Sequence, residues 1–381
     1  MAYMRSYLNI ACRILLICCI WSSAAQARDQ WDGVERIVAV GDVHGDYEQY
    51  LQILRDNELI DAKLDWVGGK THLVQVGDVP DRGPDSLKIM RHLRQLQKQA
   101  KRQRGYVHAL LGNHEAMNVQ GDLRFVHPGE YQILVTDKSA AKQTEYIDRV
   151  LAAEQQQPLS LLAGDAGLLD DRRVQLQELY PQGYIEHRYL WARRGEAYEW
   201  VKSNNTIIKL NRTLFVHGGI AVDKPLISIR TINNQVRKAL LDEPLDGDTP
   251  GYILGDDGPL WYRGLANQAS DADAVKAMLN FYDADTIVIA HTPTRGAVMP
   301  GENGQVIQVD VGLGQAYGSH RASLLIESGR YYAVHRGQRL LLPRTDAELP
   351  AYLELVRALE PHAVAAKTKT GETLLPQKVL P

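Results

Sequence analysis

Side chains that could bind metal ions or transfer protons directly follow three short apolar segments in the first third of the chain. The segment RIVAV is followed by GDVHGD, HLVQV by GDVPDRG, and YVHALL by GNHE. Two more histidines follow apolar segments later, in VHGG and in AHTPT. The residues concerned are Asp42, His44, Asp78, Asp81, Arg82, Asn113, His114, Glu115, His217 and His291. Taken singly, each fits an ordinary turn or a structural histidine, so only their combination favours a functional site.

That combination favours a site for two metal ions. Each group lies near a glycine at the end of a predicted strand, and the carboxyl ends of strands in an α/β sheet share one edge. Two aspartates, one asparagine and three histidines form a mixed oxygen and nitrogen set, which suits Mn, Fe or Zn better than Ca or Mg. Six ligands are too many for one catalytic ion with an open position and fit two ions, with Asp78 as the bridging carboxylate.

The elements that must position these residues alternate between strands and helices. Strands are predicted at 36–40, 72–76 and 106–111, with helices at 46–54 and 85–103 between them. This order predicts an α/β fold whose first sheet is largely parallel. Residues 119–205 interrupt the pattern and predict a helical cap insertion, called the insertion below.

Strands resume after the insertion. They are predicted at 211–220, 285–292, 304–312, 321–327 and 330–336, and the last two predict a hairpin through Ser328 and Gly329. We therefore expect a catalytic domain over 28–345, followed by a C-terminal helix and tail over 346–381.

The first 27 residues carry the features of a secretory signal. Arg5 and Arg13 precede the apolar segment ILLICCIW, and Ala25-Gln26-Ala27 is a small-x-small cleavage site. The apolar segment is far shorter than the roughly 20 residues that span a membrane, so we expect an exported protein, periplasmic or secreted, without stable membrane association.

All three cysteines of the chain lie in the first 27 residues. A mature protein without them has no disulfides, no thiolate metal ligands and no cysteine nucleophile. Losing the two arginines changes the formal net charge from -3 to -5. An acidic exported protein is a poor candidate for nucleic-acid binding.

The ordered motifs resemble those of the calcineurin-like metallophosphoesterases. GDxHG, GDxxDRG, GNHE, HGG and HT occur in that family's order between Gly41 and Thr292. The DRG and GNHE forms are closest to the phosphoprotein phosphatase branch, and GNHEAMNVQGDLRFV and PLWYRG are similar to the bacterial Shewanella-like protein phosphatases. The resemblance implies a β-sandwich flanked by helices, two divalent metal ions with manganese favoured, and a phosphorylated protein or peptide as substrate.

The resemblance also implies a role for each motif residue. The first metal ion would be bound by Asp42 and His44, the second by Asn113, His217 and His291, and both by Asp78. The phosphate oxygens would be bound by Arg82, Arg263 and Asn113. His114 would protonate the leaving alcohol as general acid, oriented by Asp81, while a hydroxide bridging the two ions attacks phosphorus. Glu115 would support the site without binding metal.

The leading hypothesis is therefore an exported, metal-dependent protein phosphatase acting on phosphoserine and phosphothreonine, on phosphotyrosine, or on both. The alternative within enzymes is a phosphomonoesterase for nucleotides or other small molecules. A binding module that had lost catalysis would show a damaged motif, whereas every ligand position, the acid and both arginines are present. A structural exported protein would bind no metal.

Three features outside the motifs carry weaker expectations. The segment HRYLWARR, residues 187–194, is either a phosphopeptide contact or an amphipathic helix of the insertion packed on the insertion's own core, and the second is favoured. Asp310 and Tyr317 follow a late strand and could line the pocket. His72 and His108 lie at strands and are expected to pack in the core.

Overall fold

The structure is a computed structural model that describes residues 28–156, 166–241, 252–267 and 271–360. The predicted signal segment and the last residues of the predicted tail lie outside this part of the chain. Within it, no helix has both the length and the apolar character needed to cross a membrane.

The predicted strands and helices occur in the predicted order. In chain order the elements are β1 (Gln30–Trp31), β2 (Arg36–Val40), α1 (Tyr47–Asp56), β3 (His72–Gln75), α2 (Ser86–Arg102), β4 (Tyr106–Ala109), α3 (Asn113–Gln120), α4 (Pro128–Gln132), α5 (Ser139–Gln155), α6 (Ala166–Leu179), α7 (Tyr184–Trp191), α8 (Glu196–Ser203), β5 (Ile207–Leu210), β6 (Thr213–Val216), α9 (Ile229–Leu240), α10 (Ala272–Phe281), β7 (Thr286–Ile289), β8 (Met299–Gly301), β9 (Val306–Gln308), β10 (Ala322–Glu327), β11 (Arg330–His335), β12 (Gln338–Leu341) and α11 (Leu349–Leu359). The strand at 36–40 has the predicted bounds, the other predicted strands are shorter, and β1, β5, β8 and β12 were not predicted.

The first sheet has the strand order β12-β11-β10-β2-β3-β4. Strands β2, β3 and β4 are parallel, as predicted, and β10 to β12 extend the sheet with antiparallel pairing. The hairpin between β10 and β11 turns at Ser328 and Gly329, which both have positive φ values of 50° and 74°. This is the backbone geometry that a tight two-residue hairpin turn requires.

The second sheet has the strand order β1-β5-β6-β7-β9-β8. The strand predicted at 211–220 is confirmed as β6 but is shorter, and the preceding strand β5, which was not predicted, forms a hairpin with it that turns at Asn211, whose φ is 52°. The side chain of Asn211 also bonds the backbone of Val34 in both directions, at 3.0 and 2.8 Å. This long-range contact fixes a turn that the periodicity of the segment does not reveal.

The two sheets pack face to face, and helices cover their outer faces. Along β2, Ile37 and Ala39 point into the cluster that also holds Phe215 and Val288 of the second sheet. Val38 and Val40 point the other way, into the cluster with the helices. Alternate residues of one strand thus supply both core layers, as the two-residue period of a strand requires. The predicted mixed α/β sandwich is confirmed.

The insertion contains helices α4 to α8, and its described residues form a small core of their own. That core joins Ile147, Leu151 and Leu176. Residues 187–191 of the segment predicted as an amphipathic helix lie in α7. The predicted packing on the insertion's own core is wrong for Trp191, whose indole is buried in the main core, as is that of Trp200 in α8, at 1% and 2% exposure. Burial of two large aromatic side chains ties this end of the insertion firmly to the sheets.

Candidate metal centre

Every predicted metal-binding residue lies at one edge of the sandwich, where strands from both sheets end. Asp42 follows β2, Asp78 follows β3, and Asn113 begins α3 directly after the β4 segment. His217 follows β6 and His291 follows β7. All are at least 95% buried, with exposures from 0% to 5%. The fold therefore brings together side chains that are up to 249 residues apart in the sequence.

One group of donor atoms is formed by His44, Asp78 and His114, whose ligand atoms lie within 4.8 Å of one another. The Nδ1 of His44 donates to the Pro80 carbonyl at 3.1 Å. This bond places the ring proton on Nδ1 and leaves Nε2 free, 3.9 Å from Oδ2 of Asp42. Asp42 is thus close to His44, although the donor group around His44 includes His114 instead of Asp42, and the binding of the first metal ion by Asp42 and His44 stays a prediction.

The second group of donor atoms is formed by Asp78, His217 and His291, again within 4.8 Å. His217 donates from Nδ1 to the Val76 carbonyl at 2.8 Å, so its Nε2 is the free nitrogen. That Nε2 lies 3.2 Å from Oδ2 of Asp78 and 3.0 Å from Oδ1 of Asn113. Asp78 belongs to both groups, which is the position that a bridging carboxylate must occupy.

His291 presents the opposite nitrogen from the other two histidines. Its Nε2 lies 3.1 Å from the Trp261 carbonyl, so Nδ1 is the atom left for a ligand role. Burial, together with the neighbouring His217, lowers the pKa of His291 to about 2, and burial lowers the pKa of His44 to about 4. Both imidazoles are therefore neutral, which is the form that binds metals.

The charges at this edge fit divalent cations. Asp42, Asp78 and Asp310 are each 2% to 4% exposed. Asp42 lies within ion-pair distance of His44 and His217, and Asp78 within ion-pair distance of His217. Burial raises the pKa of Asp42 well above its usual range, and repulsion by Asp310 and Asp78 adds to that shift. The Asp310 carboxyl lies against that of Asp42, and its Oδ1 accepts the Gly312 N–H at 3.0 Å. Buried carboxylates that repel one another need a positively charged partner. Imidazole, carboxylate and amide donors together suit transition metals.

Glu115 holds the two neighbouring loops without entering the donor groups. It is fully buried, and its carboxylate accepts the backbone N–H groups of Asp78, Val79 and Gly112 at 3.1, 2.9 and 2.7 Å. Burial raises the pKa of Glu115 to about 7, whereas its bonds to Val79 and Gly112 oppose the shift. The side chain thus fixes the backbone on both sides of Asp78.

His114 forms a hydrogen-bonded pair with Asp81. Its Nδ1 lies 2.6 Å from Oδ2 of Asp81, and the Nδ2 of Asn118 donates to the other carboxylate oxygen at 2.9 Å. Burial alone would lower the pKa of His114, but Asp78 and the bond to Asp81 raise it above its ordinary value. The imidazole is therefore protonated more readily than a free one, and its Nε2 faces Asp78 at 3.9 Å.

The two predicted arginines contact different surroundings of the donor groups. The Arg82 guanidinium lies 3.9 Å from the centre of the Phe125 ring and 5.7 Å from that of Tyr317. Arg263 donates to the His291 carbonyl at 2.7 Å and to Oγ1 of Thr292 at 2.9 Å. Asn113, predicted for both metal and phosphate, directs its oxygen to His217 and its amide nitrogen to Sδ of Met117 at 3.7 Å.

Several residues of this site were missed or only weakly indicated by the sequence. Tyr317 stacks on His44 with ring centroids 5.3 Å apart, and Asp310 lies beside Asp42, both as expected of pocket-lining residues. Phe125 and Asn118 were missed. The spacing of four residues between His114 and Asn118 is a helical signal that could have found the second, whereas nothing local marks Phe125. His72 and His108 are buried away from the site, with Nε2 of His108 3.1 Å from Nδ1 of His72.

Comparison with known proteins agrees with this geometry. Residues 35–295 match the family model of the calcineurin-like phosphoesterases. An uncharacterized protein of Schizosaccharomyces pombe is 30% identical over 79% of this chain and 81% of its own length. Shewanella-like protein phosphatase 2 of Arabidopsis thaliana is 29% identical over 73% of this chain and 71% of its own. The solved structure of a cold-active protein-tyrosine phosphatase of a psychrophilic Shewanella species has a TM-score of 0.63 and 27% identity, covering 83% of this chain and 82% of that one.

Proposed function

The chain belongs to the calcineurin-like phosphoesterases, and on that basis we propose that it is a metal-dependent protein phosphatase with a preference for phosphotyrosine. A phosphatase activity follows from the family and its phosphatase relatives. The observation that carries the proposal is the pair of donor groups sharing Asp78, together with the hydrogen bond that joins His114 of the first group to Asp81.

Each group of the site has a task in phosphate ester hydrolysis. Two divalent ions, Mn favoured over Fe or Zn, would supply Lewis acidity and a water acidic enough to attack phosphorus near neutral pH. Asp42 and His44 would hold one ion, and Asn113, His217 and His291 the other. Asp81 holds the His114 ring with its Nε2 directed at the site, so that the proton on Nε2 can pass to the leaving oxygen.

Arg82 and Arg263 bind the phosphate oxygens from two sides and stabilise the negative charge of the transition state. Arg263 is held in place by its bonds to His291 and Thr292, and Arg82 by the ring of Phe125. The substrate phosphate is thereby oriented before the proton of His114 is transferred.

The preference for phosphotyrosine rests on the surroundings of Arg82. Phe125 and Tyr317 are half-buried aromatic side chains near its guanidinium, and Phe125 also packs against His114 at 5.3 Å between ring centroids. A phenyl ring attached to the phosphate can pack against these rings, whereas a serine side chain is too short to reach them. The Shewanella relative, named a protein-tyrosine phosphatase, supports the same preference.

The test is phosphate release by the purified protein, stripped of metal with a chelator and then supplied with Mn, Fe or Zn. Matched phosphotyrosine, phosphoserine and phosphothreonine peptides would be compared with AMP, and a His114→Asn variant with unchanged metal content is the control. We expect metal-restored release, fastest from phosphotyrosine and reduced about 100-fold or more in the variant. Release from AMP alone would assign the protein to small-molecule hydrolysis instead.

We further propose that the protein is exported, on the sequence features of its first 27 residues. Fractionation of cells that express the full chain would test this: export predicts a protein outside the cytosol whose N-terminus is Arg28. A cytosolic chain that keeps its first residues would contradict the proposal.

A further inference from the structure

The loop that carries Asp81 and Arg82 has an unfavourable backbone. Both residues lie in the left-handed region, with φ values of 73° and 66°, although neither is glycine. Such residues cost of order 1 kcal/mol or more each and persist only when their surroundings hold them. The loop carries the carboxylate that orients His114 and the guanidinium that faces the phosphate, so what holds it bears on both functions.

The first part of the insertion supplies those holding contacts. The Arg82 N–H donates to the Phe125 carbonyl at 2.9 Å, and the Asp81 N–H donates to Oε1 of Glu130 at 3.2 Å. The hydroxyl of Ser86, at the start of α2, donates to the same carboxylate oxygen, and its Oγ also accepts the Asp81 N–H at 3.2 Å. The backbone N–H groups of both left-handed residues are therefore bonded to residues of the insertion.

Glu130 is itself enclosed by the insertion. It is only 4% exposed, and Nε2 of the fully buried His187 lies 3.8 Å from its Oε2. Helix α7, which carries His187, begins against α4: a Cβ added to Gly183 would lie 2.0 Å from the Tyr131 carbonyl oxygen. The carboxylate thus occupies a fixed position between the insertion and the Asp81–Arg82 loop.

We infer that Glu130 is a positioning residue for proton transfer: through the Asp81 backbone and Ser86 it holds the loop in which Asp81 orients His114. This inference rests on the proposed phosphatase function and assigns the insertion a part in it beyond covering the site. Without the carboxylate, the Asp81 N–H loses its acceptor in the insertion and the left-handed backbone can relax, which moves the Asp81 carboxylate away from Nδ1 of His114.

Proton transfer can be isolated by varying the leaving group. Release of p-nitrophenol needs little help from a general acid, whereas release of the more basic phenol depends on it. We expect Glu130→Ala to lower kcat about 100-fold on phenyl phosphate and less than about 10-fold on p-nitrophenyl phosphate. Glu130→Gln, which keeps an accepting oxygen, should restore most of the loss on phenyl phosphate.

Two further variants keep the experiment decisive. Glu186→Ala is the matched control, because that carboxylate binds Ser139 and Lys142 within the insertion and does not contact the loop; it should affect both substrates equally. Ser86→Ala removes a single hydroxyl and should cost about 10-fold on phenyl phosphate but about 2-fold on p-nitrophenyl phosphate. If Glu130→Ala does not fold, the ratio of the two losses in Ser86→Ala by itself tests whether these contacts position Asp81 for proton transfer.

Equal losses on the two substrates in Glu130→Ala and Ser86→Ala would overturn the inference while leaving the phosphatase proposal intact. If the metal-loaded wild-type protein hydrolyses neither ester nor any phosphopeptide, the proposed function fails, and the role of Glu130 fails with it.

Discussion

A methyl group added at Gly112 should displace the carboxylate that belongs to both donor groups. A Cβ built on Gly112 lies 2.1 Å from Oδ1 and 2.5 Å from the backbone nitrogen of Asp78. The backbone of Gly112 is extended, with φ of -108°, so alanine could adopt it and the effect is purely steric. Since real Cβ contacts are essentially never under 3.0 Å, Asp78 must move by at least about 0.9 Å.

A shift of that size is large for a catalytic site. Overpacking of this kind costs about 1–3 kcal/mol of stability, and a misplacement of about 1 Å can lower a rate about 100-fold. We expect Gly112→Ala to bind fewer than two metal ions per chain and to lose about 100-fold in kcat. Elemental analysis of the dialysed protein and phosphate release would measure the two effects separately.

The matched control is Gly255→Ala, where the nearest atom to the added Cβ is 3.6 Å away, an ordinary contact. That variant should keep the wild-type metal content and rate. If Gly112→Ala also keeps both, Asp78 does not occupy the shared position that its geometry assigns to it, and the interpretation of the two donor groups is refuted.

Three other predictions follow from burial and charge. Glu115→Ala leaves three backbone N–H groups without an acceptor, so urea unfolding should show a loss of at least about 3 kcal/mol. Chelation should lower the melting temperature, because a site ligand present at about 1,000 times its Kd adds about 4 kcal/mol; an unchanged temperature with metal demonstrably removed would contradict this. Burial lowers the pKa of His335 from its ordinary value of 6.5 to about 4. Between these two pH values His335 binds a proton in the unfolded chain but not in the folded one. The contribution of His335 to stability should therefore be full above the ordinary value and fall by up to about 1.4 kcal/mol per pH unit as the pH drops toward 4, so the pH dependence of unfolding should be shallower in His335→Leu.

The sequence by itself determined the residue types of the site and the edge on which they meet. Apolar segments that end in glycine mark strands of a parallel sheet, and short-range chemistry then places Asp42, Asp78 and Asn113 at their carboxyl ends. Helix starts were readable for the same reason: the side chain of Asp46 accepts the Gln49 N–H at 3.1 Å and begins α1 next to the predicted boundary. Such signals act within a few residues, so one sequence is enough to show them.

Only the tertiary structure decided which atoms face the site and what holds them. The free nitrogen is Nε2 in His44 and His217 but Nδ1 in His291. Each ring is oriented by a backbone carbonyl that is distant from it in the sequence: Pro80, Val76 and Trp261, respectively. The contact of Glu130 with Asp81 joins residues 49 positions apart, and no periodicity or motif encodes it. Pairings of this kind depend on how the insertion packs against the sheets, where two buried indoles fix its position, and packing is a property of the whole core rather than of any local segment.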